Sequence, residues 1–166
     1  MFRCLEYTAF QWKAKGRHGT HSPFAYWLVD TVSRQSKAII NPKFSQISCK
    51  KTRIFLSQLH ASLPDYQIYT TLKEKIDSND QHNEPAPGIY LFSTDDLRQL
   101  KQTIAFQAYH PSSIFVLLDL RTSKANGAWQ ELISENDMHF TADCHYFGLL
   151  SLRPGQVKQH FYLKIT

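Results

Sequence analysis

Residues 113–119, SIFVLLD, form a nearly continuous apolar run, and no other stretch constrains the fold as tightly. A strand with one wet face alternates polar and apolar side chains. A strand without alternation is buried on both faces, the pattern of a parallel sheet covered by helices. Its neighbours agree. Gly88 to Phe92 reads as a second strand, and Gln67 to Thr71 as a short one. Between them and after them lie helical patterns: Leu97, Leu100 and Ile104 behind a Ser93 or Thr94 cap, then Trp129, Leu132 and Ile133 behind a Ser123 cap. Strands separated by helices imply a partly parallel α/β sheet.

The first third is helical. Phe2, Leu5, Ala9 and Trp12 share one face of a helix that Gly16 can stop. Ser22-Pro23 starts a second helix, with serine as cap and proline at the first helical position; Phe24, Trp27, Leu28 and Thr31 form its inward stripe. A third helix spans residues 49–62 and points Phe55, Leu56, Leu59 and Leu63 inward. Residues 72–76 suggest a helical turn, and 77–88 are the most loop-like stretch. After residue 137 the pattern turns to strands: Met138 to Cys144, Leu149 to Arg153, a Pro154-Gly155 turn, and Val157 to Ile165, read as an antiparallel meander.

A chain of 166 residues suits a single domain, here divided into a helical part, 1–63, and an α/β part, 64–166. Apolar runs such as Ile114 to Leu118 are far too short to cross a bilayer, which takes about 20 residues. Arg3 and Glu6 interrupt the N-terminus, unlike a secretion signal. Three cysteines without CxxC spacing argue against a disulfide scaffold or a zinc ribbon. The cytoplasm is therefore the expected compartment, with no membrane partner. Residues 1–60 hold ten Lys or Arg against two acids, and the remainder holds nine against twelve. Residues 13–53 could thus meet RNA or phosphate, or could simply be a solvated basic face.

Two segments carry a likeness. KGRHGTHSPFAYWLVDTV, residues 15–32, resembles the N-terminal signature of a bacterial family of class I S-adenosylmethionine-dependent methyltransferases typical of Bacteroidetes. Residues 113–165 are similar to that family's C-terminus, matching at Asp119, Arg121, Ser123, Ala128-Trp129, Asp143, Gly148 and Lys158-Gln159-His160-Phe161. Together they cover about 70 of 166 residues. The resemblance implies a Rossmann-like sheet with antiparallel C-terminal strands, and S-adenosylmethionine as cofactor.

The middle departs from the family. Where a glycine-bearing turn should let the backbone approach the cofactor, the chain reads IYTTLKEKI, and Thr70, Thr71 and Leu72 disfavour positive φ. A βαβ unit takes about 30 residues, so the whole methyltransferase sheet needs roughly 100 before its terminal hairpin. Residues 67–119 number only 53. The family's Asp-Asp pair is Leu118-Asp119 here. The expectation is a shortened relative without the usual pocket and with no cofactor, serving as a non-catalytic interaction or regulatory module. Two alternatives stand beside it: an active methyltransferase with an atypical site or one completed by a second copy of the chain, and an RNA- or phosphate-binding protein acting through the basic N-terminal third.

Each candidate residue has two readings. Asp119 ends a parallel strand, the ligand side of such sheets, but with its neighbouring acid absent it reads rather as a carboxylate that caps a turn or pairs with Arg121. Tyr69 and Thr70 occupy the cofactor position by resemblance. His18 and His21 flank Gly19 before a helix start, as anion ligands, weak catalytic candidates or loop anchors. No third ligand stands at metal-site spacing from them. Asp95-Asp96 reads as a first-turn pair offsetting a helix dipole. Cys144 reads as a small core residue, and His160 as a surface or structural group.

Overall fold

The structure, a computed structural model, describes residues 2–14, 22–32, 39–70, 86–93, 96, 109–134, 138–153, 155 and 157–165. Four α-helices are described: α1 Phe2–Lys13, α2 Pro23–Trp27, α3 Lys50–Ala61 and α4 Ser123–Ser134. Six strands form one sheet: β1 Gln67–Tyr69, β2 Gly88–Phe92, β3 Ile114–Leu117, β4 Phe140–Asp143, β5 Gly148–Ser151 and β6 Gln159–Tyr162, in the order β1-β2-β3-β5-β4-β6. Among the described residues no helix is long and apolar enough to cross a membrane.

The protein is mixed α/β with a mostly parallel sheet. β1, β2 and β3 pair in parallel, and the hairpin of β4 and β5 folds back so that β5 inserts antiparallel between β3 and β4. β6 then passes β5 and pairs with β4 in parallel. The expected C-terminal meander is therefore corrected. Only β5 runs against the rest, because the chain between β5 and β6 returns to the starting end of β4 instead of turning directly into a neighbour. A local alternation pattern shows that a strand exists, not which strand it joins.

The sheet is buried on both faces, as the run at β3 demands. Ile114 and Val116 point to one side with Ile68, Ile89, Leu91, Phe140, Ala142 and Leu149, under Phe24 and Leu28, and under Phe55, Leu56 and Leu59 of α3. Phe115 and Leu117 point to the other side, with Tyr90, Phe92 and Leu150 under Trp129 and Leu132 of α4. One core thus joins the N-terminal helices to the sheet.

Capping follows the sequence with one correction. Ser22 caps α2 by accepting from the Ala25 amide, and Pro23 opens the helix. α2 continues into a π-helical turn, Leu28–Val32. In α4 the cap is Thr122, whose Oγ1 accepts from the Ala125 amide; Ser123 is already helical. The inward face of α1 is also corrected. Trp12 is 92% exposed and Ala9 is exposed, whereas Phe10 is buried. Phe10 lies against His145 and Tyr162 at the sheet's end, so an aromatic contact rather than the aliphatic stripe orients the helix. The side chains of Phe2, Leu5 and Thr31, Gly16, the turn at 72–76, nearly all of the 77–88 loop and the helix carrying Leu97, Leu100 and Ile104 lie outside the described residues.

Candidate functional site

The parallel strands end together at Tyr69, Phe92, Leu117, Asp143 and Tyr162. In open α/β sheets ligands bind beyond such ends. Asp143 is the last residue of β4, and its side chain is nearly fully buried. Arg121 reaches it from the turn before α4: one Nη2 donates to both carboxylate oxygens, at 2.7 and 2.8 Å. The same carboxylate accepts the His145 amide at 2.7 Å. That bond anchors the β4–β5 turn, where His145 holds φ 69. A buried carboxylate is tolerated only when its oxygens are met this way.

Asp119 behaves differently. It adopts φ 53, a left-handed conformation that Asp accepts better than most residues, and it is exposed. Its carbonyl accepts from the Thr122 amide and hydroxyl. Its carboxylate has no partner among the described residues. Of the readings of Asp119, the pairing with Arg121 is excluded, because Asp143 takes the guanidinium.

A cleft of about 510 Å³ opens beside this pair, between α1 and α4. Phe10, Lys13, Thr122, Asn126 and Gln130 line it with Arg121. The Arg121 guanidinium lies 5.6 Å from the Phe10 ring centre, and the Lys13 ammonium 5.7 Å from that of Tyr162. Sequence reasoning missed this grouping. It had Arg121 and Asp143 as matched residues, but nothing local shows that a turn after β3 meets the end of β4.

The cofactor candidates sit elsewhere. The Tyr69 ring stacks on Tyr90 with centres 4.7 Å apart, and its hydroxyl donates to Gln67 at 2.6 Å. Thr70 is exposed one residue past β1. Neither lines the cleft, and nor does Asp119, so the structure does not bring the three together there. His18, His21, Gly19, Thr71, Leu72 and Asp95 lie outside the described residues. Asp96 accepts from the Ser93 amide and hydroxyl, at 3.0 and 2.9 Å, a local turn clasp. Among the described residues no three His, Cys, Asp or Glu side chains converge as a metal site would require.

Other matched residues form a second internal cluster. A Cβ on Gly148 would collide with the buried Trp129 ring, so glycine lets that ring lie on β5. His160 packs near Trp129 and within 2.8 Å of the Thr141 hydroxyl. Burial pushes the His160 pKa down, against the pull of Asp143. Cys144 is buried, and burial followed by the Asp143 charge pushes its thiol pKa well up, away from reactivity. No protein-family model, curated protein sequence or solved structure matches the chain.

Proposed function

We propose that the chain is a shortened methyltransferase-like module that lacks the usual S-adenosylmethionine pocket and works by binding a partner rather than by catalysis. The observation that carries this reading is the employment of the matched C-terminal residues. Arg121 neutralises Asp143, Gly148 makes room for Trp129, and His160 packs beside Trp129 and Thr141. These residues support a hairpin and a helix, so their retention accounts for the likeness without requiring turnover. Parallel strands followed by a terminal hairpin are in keeping with a methyltransferase-type sheet. The stacked Tyr69 is engaged at the strand end where the family would hold the cofactor.

Calorimetry and thermal unfolding with S-adenosylmethionine and its demethylated product test the reading. A ligand that binds the native state must raise the melting temperature. No shift at millimolar concentration is expected; micromolar binding would overturn the proposal. The active-enzyme alternative draws support from Asp119, whose carboxylate stays exposed at the ligand end of β3. Methyl transfer abolished by Asp119→Asn would establish it. The RNA or phosphate alternative, made on residues 13–53, draws on Lys13 in the cleft. Heparin retention that does not fall as salt rises would exclude it.

A further inference from the structure

A second cavity lies at the opposite end of the sheet, where Ile114 opens β3 and Tyr66 precedes β1. It measures about 350 Å³ and is walled by Phe24, Trp27, Leu63, Tyr66 and Ile114, with Arg153 as the cation lining it. Phe24 and Trp27 stack with centres 5.7 Å apart. This volume falls at the small end of ligand sites, which are mostly apolar with a few placed polar groups.

Arg153 is the unusual member. Its guanidinium carbon lies 3.5 Å from the centre of the Phe24 ring, so the aromatic face covers one side of the cation. Its Nε is buried without a hydrogen-bond partner, and no carboxylate pairs with it among the described residues. Burial lowers its pKa. The backbone at Arg153 holds φ 30, in the left-handed region, and its N–H donates a hydrogen bond to the Pro111 carbonyl at 3.3 Å. A strained residue persists where its surroundings enforce it, and such residues gather at binding sites. Partly buried guanidinium groups normally find an anion.

We infer that this cavity binds a small carboxylate with an aromatic or branched apolar body, its carboxylate on Arg153 and its body against Phe24 and Trp27. A carboxylate fits better than a phosphate, because the cavity offers one cation and Tyr66 spends its hydroxyl proton on the Ser112 carbonyl. The inference stands apart from the methyltransferase reading, since the cavity lies at the sheet end remote from Asp119 and Asp143.

The probe is 3-phenylpropionate, compared with 3-phenylpropionamide, which keeps the shape and loses the charge. The acid is expected to raise the melting temperature and to shift the Arg153 Nε–H and Trp27 indole resonances in labelled wild-type protein. The amide should bind roughly tenfold to a hundredfold more weakly, the loss of one charge-assisted hydrogen bond. Arg153→Gln should bring the acid down to the level of the amide, and Arg153→Lys should recover part of the difference. A short peptide ending in phenylalanine, as free acid and as C-terminal amide, separates the two sources. Tighter binding of the peptide acid than of 3-phenylpropionate assigns the cavity to chain termini, and weaker binding assigns it to small molecules. Equal binding of acid and amide to the wild-type protein, or no binding at millimolar concentration, overturns the inference even if the variants fail to fold.

Discussion

Arg121 and Arg153 are both partly buried, both face a phenylalanine ring, and stand at opposite ends of one sheet. Arg121 meets a buried carboxylate through two short contacts; Arg153 meets none among the described residues. The same side chain thus plays two parts. A cation matched by its own chain's carboxylate is fastened into the fold with its charge already met, although the Nε of Arg121, like that of Arg153, is left without a partner. A cation held against an aromatic face without a counter-ion keeps its hydrogen-bonding capacity for something else.

The sharpest way to break this contrast is at the fastened end. Asp143→Ala should cost about 3 kcal/mol in denaturant unfolding, the low end for breaking a buried pair because the Arg121 side chain stays 26% exposed. It also strips the His145 amide of its acceptor. A loss below about 1 kcal/mol would show that the pair is not structural. Gly148→Ala comes next, at about 2 kcal/mol, because the new methyl meets the buried Trp129 ring. Near-UV circular dichroism should report the displaced indole.

The pH dependence is gentler. The native His160 pKa lies below its ordinary 6.5, so below that pH the unfolded chain takes up a proton that the native state refuses. Stability should therefore fall as pH drops through this window, and level off once the native imidazole also protonates. The slope from one such group cannot exceed about 1.4 kcal/mol per pH unit. His160→Gln should remove that part of the slope in parallel melts; an unchanged slope would mean that another group dominates. The smallest effect belongs to Arg153. Arg153→Gln should alter stability by less than about 1 kcal/mol, since the lost cation–π contact is offset by relief of a buried, unmatched charge. A large destabilisation would make Arg153 structural and erase the difference between the two ends.

Much of the fold was legible beforehand. The uninterrupted run at β3 announced a strand buried on both faces, and Ile114 to Leu117 are all buried. Ser22-Pro23 marked the start of α2, and Phe55, Leu56 and Leu59 marked the inner face of α3. These readings succeeded because burial repeats at a local period and caps act within one turn. The face of α1 was misread because Phe10 is oriented by His145 and Tyr162, far along the chain. For the candidate sites, Arg121 and Asp143 were visible only as separate matched residues, and Arg153 carried no signal beyond its place before Pro154-Gly155.

By itself the sequence determined that strands alternate with helices around a doubly covered sheet, since hydrophobic periodicity is written in neighbouring residues. Only the tertiary structure decided that β6 joins β4 in parallel, that Asp143 rather than Asp119 takes Arg121, and that Arg153 lies on Phe24. Those outcomes depend on which distant segments meet. A charge's role is set by whether its partner arrives, and that is a property of the packed chain.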